Sequence, residues 1–136
     1  MAKYRFQYAA KFLCTANIPG TSQTTGSLLP GVYQTVVNIH NPNNVVVGYR
    51  KKIAVPGLEP SKFREDRLKP DFATKVDCEE VTQGFGIRFI HGAEGFLVIE
   101  STHSLDVVAV YTAGPRNGEV SSMDVERVEE RVLRGK

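Results

Sequence analysis

Two runs rich in β-branched residues, at 32–40 and 45–55, flank the tetrapeptide Asn41-Pro42-Asn43-Asn44. β-Branched side chains favour extended backbone. Proline presets φ and asparagine tolerates positive φ, so both residues favour turns. Composition and spacing therefore predict a β-hairpin over residues 32–55.

The N-terminal segment alternates apolar and polar side chains with a period of two. The residues on its apolar face are Tyr4, Phe6, Tyr8, Ala10, Phe12 and Cys14. This period predicts a strand with one buried face. The strand would be longer than the usual five or six residues. We therefore expect that residues 1–14 can also be donated to the sheet edge of a neighbouring molecule.

Further strands are predicted at 73–81, 85–90, 95–101, 105–113 and 120–128, joined mostly by short turns. With the segments above they make about eight strands, which predicts an all-β fold, a single-domain antiparallel β-sandwich or jelly roll spanning residues 1–136.

Two parts of the chain are assigned to helix or loop. Segment 56–73 is rich in proline and charge and is expected to form at most one short helical turn. The tail element 114–136 ends in good helix formers, and residues 125–133 could close the chain with a short C-terminal helix.

Composition limits the classes of partner. The 136 residues carry 17 Lys and Arg against 15 Asp and Glu, a net charge of +2. This balance gives no electrostatic basis for binding nucleic acid. No stretch approaches the ~18 apolar residues of a membrane span. Gln7 and Lys11 interrupt any signal-like apolar segment, so the cytoplasm is the default compartment, with export by another route left open.

The two cysteines, Cys14 and Cys78, fit either of two states: buried thiols in a reducing compartment, or one bridge in an oxidising compartment. We favour thiols, because free cysteine is often simply buried.

Neither a catalytic nor a metal site is expected. His40, His91 and His103 do not pair with each other or with the cysteines at the spacings of structural zinc sites. No Gly-x-Ser-x-Gly elbow occurs. The carboxylates around Cys78 disfavour the thiolate that a nucleophile needs. The sequence therefore predicts a protein that is not an enzyme and has no cofactor.

Four stretches carry a resemblance: residues 95–101, residues 105–113, Pro30-Gly31-Val32-Tyr33 and Asn38-Ile39-His40-Asn41-Pro42. Together they resemble a group of small bacterial proteins with no assigned activity. The order of elements over residues 8–113 is more distantly similar to the sensory rhodopsin transducer family. That resemblance implies a sandwich similar in fold to carbohydrate-binding proteins, and a homo-oligomer. It assigns no ligand residue.

Two hypotheses of function follow. The first is a non-catalytic sandwich that self-associates as a structural or scaffolding subunit, up to a filament or lattice. Its candidate interface residues are Tyr4, Phe6, Tyr8, Phe12, Val125 and Val128. The second is a module that binds a carbohydrate or small molecule through the loops 15–31 and 56–73. Its candidate ligand residues are Thr21, Gln23, Thr24, Phe63 and Arg64. No exposed aromatic for sugar stacking is evident, and tryptophan is absent.

Overall fold

The computed structural model of the chain describes residues 3–15, 31–86, 92–115 and 119–134. Over these ranges the chain forms nine strands in two antiparallel sheets. The strands are β1 (Phe6–Thr15), β2 (Val32–His40), β3 (Val47–Ala54), β4 (Arg64–Leu68), β5 (Ala73–Val76), β6 (Gly92–Ser101), β7 (Asp106–Gly114), β8 (Ser122–Arg127) and β9 (Glu130–Val132). One sheet has the order β4-β3-β6-β1-β9 and the other β5-β2-β7-β8. The predicted all-β sandwich is confirmed.

The core lies between the two sheets and is built from alternate residues of the central strands. The buried side chains of these strands include Tyr8, Ala10, Phe12 and Cys14 of β1, Val37 and Ile39 of β2, Leu97 and Ile99 of β6, and Val107 and Ala109 of β7. Phe6 is half-buried and packs against this core. Inner faces of packed sheets bury every second residue, so the predicted apolar face of β1 is confirmed from Phe6 to Cys14.

The N-terminal strand pairs within its own chain. β1 pairs with β6 along its whole length, from Phe6 opposite Ser101 to Thr15 opposite Gly92, and with β9 on its other side. Both neighbours of β1 therefore come from the same molecule, and we no longer expect this strand to be donated.

The predicted hairpin at 32–55 is wrong, although both of its strands exist. β2 pairs with β5 and β7, whereas β3 pairs with β4 and β6. The turn at 41–46 therefore carries the chain from one sheet to the other. Stacked sheets lie about 10 Å apart, a distance that a tight hairpin turn does not span.

The buried side chain of Asn41 holds this crossing in place. Its Nδ2 donates to the carbonyl oxygens of Val45 and Leu68, each at 2.9 Å. Its Oδ1 accepts hydrogen bonds at 2.9 Å from the backbone N–H and from the side-chain amide of Asn43. Both donor hydrogens and the acceptor are used, so a polar group can be fully buried here without penalty.

Charged segments form strands where helix was expected. Within 56–73, Arg64–Leu68 is the edge strand β4, whose Glu65 lies opposite Arg50 of β3. The strand predicted at 120–128 is present as β8, and the residues after it form the strand β9 where a short C-terminal helix was expected. Helix propensity is a weak preference that tertiary pairing overrides. Here Val128, between the two strands, is buried in the core and donates its N–H to Val107 at 2.9 Å.

Two other predicted strands differ. The strand at 73–81 ends at Val76 and is followed by a π-helical turn, Glu80–Gly84. The strand at 85–90 lies mostly outside the described residues, and Phe85 and Gly86 are not extended strand. No helix in the described ranges is long and apolar enough to cross a membrane.

Cys14 and Cys78 form a disulfide with a Cα–Cα distance of 5.7 Å, so the expectation of free thiols is wrong. The bond joins the end of β1 to the residues before the π-helical turn. The two cysteines are 64 residues apart, and closing a loop of that length stabilises a fold by about 4 kcal/mol in the chain-entropy model. Sequence spacing alone could not show that the fold brings them together.

We predict that Asn41→Ala destabilises the protein by about 2–3 kcal/mol, because it leaves the Leu68 carbonyl and the Asn43 N–H without their partner. The measurement is the free energy of unfolding in denaturant with the disulfide intact. Asn44→Ala, in the same turn but exposed, is the control and should change stability by less than about 0.5 kcal/mol. Equal midpoints for the two variants would contradict a role for Asn41 in fixing the crossing.

Candidate functional site

A ladder of polar side chains crosses the outer face of the five-stranded sheet. Its members occupy opposing positions on successive strands: Glu65 of β4, Arg50 of β3, Glu100 of β6, Gln7 of β1 and Arg131 of β9. Cross-strand pairs of this kind stabilise a sheet. The ladder runs from one edge of the sheet to the other.

Glu100 is the centre of this ladder and is only 7 % exposed. Arg50 donates to its Oε1 from Nη2 at 2.6 Å and from Nε at 2.9 Å. Gln7 donates to its Oε2 at 3.0 Å and accepts from Arg131 at 3.4 Å. A buried carboxylate must be paired to be tolerated, and here both of its oxygens are bonded. The centre of the ladder therefore has a structural role, because both carboxylate oxygens of Glu100 are already bonded within the chain and are not available to a ligand.

Two aromatic rings contact Arg50. Its guanidinium lies 4.4 Å from the ring centroid of Tyr4 and 3.9 Å from that of Phe63, and the Lys52 ammonium lies 4.6 Å from Phe63. Such contacts contribute about 0.5–1 kcal/mol at exposed sites. The Tyr4 hydroxyl donates to Glu65 at 3.1 Å, and burial, followed by this hydrogen bond, raises the pKa of Tyr4. Tyr4 and Phe63, assigned to different hypotheses, are thus brought together.

Arg64, the residue after Phe63, is engaged elsewhere. Its Nη1 donates to the carbonyl of Gly84 at 2.7 Å and lies 3.9 Å from the carboxylate of Glu80. The same carboxylate accepts from the buried Lys51 at 3.3 Å. Side chains alternate along an extended segment, so Phe63 and Arg64 do not share one surface. The remaining predicted ligand residues, Thr21, Gln23 and Thr24, lie outside the described residues, as does His91.

Phe96 is an exposed aromatic that the sequence reasoning missed. It lies on the outer face of β6 with 44 % of its surface exposed, opposite Ala54 on one side and Lys11 on the other. The Lys11 ammonium is 5.2 Å from its ring centroid and 3.3 Å from Glu94. The sequence pattern predicts residues 95–101 as an apolar strand and does not by itself mark Phe96 as exposed. Strand alternation could have found Phe96, because Leu97 and Ile99 face inward and Phe96 must face outward.

A row of valines crosses the outer face of the other sheet. Val36 of β2 lies opposite Val110 of β7, and Val110 lies opposite Val125 of β8. Val125 is 57 % exposed, and the neighbouring Met123 is 66 % exposed. Their strand, β8, ends the four-stranded sheet, and among the described strands none lies beyond it. Apolar side chains are thus concentrated at one sheet edge.

The backbone of β8 has groups that point away from β7. Val128 donates its N–H to Val107 at 2.9 Å. Hydrogen-bonded and non-hydrogen-bonded pairs alternate along an antiparallel ladder. The main-chain groups of Met123, Val125 and Arg127 therefore point toward the open edge. This is the pattern that a further strand needs in order to add to a sheet.

Two carboxylates lie on the inner side of β8. Asp124 is opposite Tyr111 of β7, and Glu126 is opposite Ala109. The Tyr111 hydroxyl donates to Glu126 at 3.3 Å. Burial, and after it the charge of Glu126, raises the pKa of Tyr111 to about 12. At neutral pH this tyrosine is therefore a neutral hydrogen-bond donor to the Glu126 side chain.

Several predicted interface residues lie in the core. Tyr8, Phe12 and Val128 are all buried in the chain's own sandwich. The Tyr8 hydroxyl donates to Glu130 at 2.6 Å and accepts from the N–H of Leu105 at 2.7 Å. Burial, followed by the Glu130 hydrogen bond, raises the pKa of Tyr8 to about 12. These three residues are not available to a second molecule, and we no longer place them at an interface.

Of the other three predicted interface residues, Phe6 packs on the core and Tyr4 contacts Arg50. Val125 is exposed on β8. Of the six predicted interface residues, Val125 is therefore the one on which a proposed interface can be based.

His40 connects three parts of the fold. Its Nδ1 lies 2.8 Å from Asp106 at the start of β7, and its Nε2 lies 2.8 Å from Asp71 in the link between β4 and β5. The Asp106 hydrogen bond, followed by the Asp71 hydrogen bond, raises the pKa of His40 above its ordinary value. Both ring nitrogens are held by carboxylates, so the ring links segments of the fold and leaves no nitrogen for a substrate. Within the described ranges, no group of three or more His, Cys, Asp or Glu could hold a metal ion.

Comparison with known proteins gives a likeness of fold. No family model matches the chain, and no curated protein does. The crystal structure of Thermotoga maritima 1070 is similar, with a TM-score of 0.62, 12% identity, and coverage of 95% of this chain and 96% of that one. At this identity the likeness supports the β-sandwich alone. The chain is thus a β-sandwich protein, and its resemblance to sensory rhodopsin transducers stays a prediction.

We predict that His40 makes stability depend on pH. Because the pKa of His40 is raised in the folded state, its contribution is fully present below the unfolded pKa of about 6.5 and is lost as pH rises through the folded value. Denaturant midpoints between pH 5.5 and 8.5 should show this loss. His40→Gln should abolish it. His103→Gln is the control, because His103 contacts the Thr102 hydroxyl and not a carboxylate. Parallel curves for His40→Gln and the unmodified protein would refute the prediction.

Proposed function

We propose that this protein is a non-catalytic β-sandwich that associates with a second copy of itself as a structural subunit, through β8 and the adjoining valine row. The observation that carries the proposal is the combination at β8 of exposed apolar side chains with main-chain groups directed at an open edge. An exposed edge of this kind is a template for pairing with another chain.

The other strands at the sheet edges are less suited to pairing. β4 carries Arg64, Glu65, Asp66 and Arg67 in succession, and charge along an edge discourages addition of a strand. β5 has four residues and β9 has three, whereas β8 has six. β8 also continues the apolar row of its sheet. Among the described edges it offers the longest and most apolar surface.

The resemblance to sensory rhodopsin transducers supports the same proposal, because members of that family form homo-oligomers. The carboxylates of Glu100, Glu130 and Glu80 are bonded to residues of the chain's own fold.

The proposal is tested by placing a charge in the valine row. Val125→Asp should raise the dissociation constant of the self-associated form at least about tenfold, equivalent to about 1.4 kcal/mol. Sedimentation velocity over a concentration series measures this constant. Val46→Asp is the matched control, because Val46 is an exposed valine next to β3 in the other sheet. An unmodified protein that stays monomeric at ~1 mM, where association weaker than about 4 kcal/mol would be missed, would remove the proposal.

A second candidate function, binding of a carbohydrate, is favoured by one observation. Phe96 presents an exposed ring on the outer face of the sheet, beside the small residue Ala54 and the cationic Lys11. Aromatic rings are common in ligand sites, where they provide apolar contact area next to polar groups. This site differs from the loops 15–31 and 56–73 that the sequence suggested.

We expect that Phe96→Ala weakens any saturable binding of oligosaccharides by at least about tenfold, the loss of one stacking contact. Titration calorimetry with a panel of neutral and uronic-acid oligosaccharides provides the measurement. Phe72→Ala is the matched control, because Phe72 is also exposed and has the Lys69 ammonium 5.7 Å from its ring. Equal binding by both variants, or none by the unmodified protein, would exclude the site.

A further inference from the structure

We propose that Asp124 and Glu126 act as a charge gate on self-association: they oppose pairing of two β8 strands while ionised and permit it when neutralised. This inference rests on the proposed function and adds the geometry and the regulation of the same surface. It follows from the hydrogen-bond pattern of β8, from its two faces and from its position at the end of the sheet.

The backbone restricts the ways in which two β8 strands can pair. The groups directed at the open edge belong to Met123, Val125 and Arg127, so these residues must form the hydrogen-bonded pairs of a new antiparallel ladder. A two-fold axis perpendicular to the sheet keeps outer faces on the same side in both copies. With the axis at Val125, each copy's Val125 lies opposite the other's, and Met123 lies opposite Arg127.

This register also joins the two valine rows. Val36, Val110 and Val125 are in line across β2, β7 and β8. A second copy about the axis at Val125 would continue the row with its own Val125, Val110 and Val36. Apolar residues directly opposite each other favour pairing of strands. Two four-stranded sheets would thus become one sheet of eight strands with an uninterrupted apolar row.

The inner face of the same register is unfavourable at neutral pH. Asp124 of each copy would lie opposite Glu126 of the other, which gives two pairs of like charges. Like charges directly opposite on a sheet are destabilising. Inward-pointing charges are also a device by which natural sheets prevent edge-to-edge pairing. The carboxylates therefore oppose the pairing of two β8 strands that the backbone groups and the valines favour.

No described cation neutralises these carboxylates. Tyr111 is the titratable residue that β7 directs at this face, and as a neutral phenol it donates to Glu126. Arg127, the basic residue of β8, lies on the other face, in register with Val108, and is 4.0 Å from Asp106. Among the described residues, no basic side chain thus offsets the repulsion between two copies, and removal of the charges would relieve it.

A competing register places the axis at Asp124. It would put Asp124 opposite itself and Met123 opposite Val125, and it would break the alignment of the valine rows. Single cysteines distinguish the two registers, because the native Cys14 and Cys78 are already bonded to each other. Residues opposite each other in a hydrogen-bonded antiparallel pair have Cα atoms about 5.5 Å apart, within reach of a disulfide.

Val125→Cys, made together with Asp124→Asn so that both variants lack the Asp124 charge, should therefore form a disulfide-linked dimer on mild oxidation faster than Asp124→Cys at the same concentration. Val46→Cys controls for random collision. Cross-linking of Asp124→Cys in preference to Val125→Cys would overturn the register centred on Val125.

The gate is tested by removing its charges without changing shape. The double variant Asp124→Asn/Glu126→Gln at pH 7.5 should lower the dissociation constant measured by sedimentation at least tenfold. The double variant Glu59→Gln/Glu79→Gln is the control. It removes two exposed carboxylates elsewhere, so its net charge equals that of Asp124→Asn/Glu126→Gln. Comparison at one pH keeps His40 in the same protonation state throughout.

Equal dissociation constants for the two double variants at pH 7.5 would overturn the gate. If Val125→Asp still dissociated the protein in that case, association through β8 would stand without the gate. If no variant associated at any concentration, the proposed function would fall as well.

Discussion

The hydrogen bonds of the buried Asn41 amide occur where the chain passes from the four-stranded to the five-stranded sheet, and the rest of the architecture depends on that passage. Because β2 and β3 enter different sheets, each has a neighbour on both sides and contributes an inner face to the common core. Asn41 also binds the carbonyl of Leu68 at the end of β4, so the same side chain fixes the next crossing. An apolar residue there would leave these backbone groups buried and unpaired.

The outer faces of the two sheets differ in polarity: one has a polar ladder and the other an apolar row. The face of the five-stranded sheet is crossed by a ladder in which Glu100 is bonded through both oxygens, so the charge of this buried carboxylate is compensated within the chain. The face of the four-stranded sheet has a valine row that ends at an open edge. On the face of the five-stranded sheet, the polar groups of the ladder are bonded within the chain, and Phe96 is left exposed. On the face of the four-stranded sheet, the apolar side chains and backbone groups of β8 have no partner strand among the described residues. The proposed self-association therefore rests on this second surface.

Prediction from the sequence succeeded where a strand has one buried face. The alternation in 4–14 placed Tyr8, Ala10 and Phe12 correctly in the core. The same rule, applied to 95–101, would have exposed Phe96, but the continuous apolar run concealed it. The candidate site was predicted only in part. Of the two valines predicted at an interface, Val125 is exposed, whereas Val128, three residues later, is buried because the chain turns inward between β8 and β9. Alternation is a local property, and the point at which a strand leaves its sheet is not.

The amino-acid sequence by itself determined that this chain is built of strands and which face of the N-terminal strand is buried, because β-branched composition and period-two patterning act within each segment. Only the tertiary structure decided which strands are neighbours, that Cys14 meets Cys78, and that the charged segments at Arg64–Leu68 and Ser122–Arg127 become edge strands. These outcomes depend on contacts between residues far apart in the chain. Their free energy exceeds the small local preferences for turn or helix, and those preferences are all that a short stretch of sequence expresses.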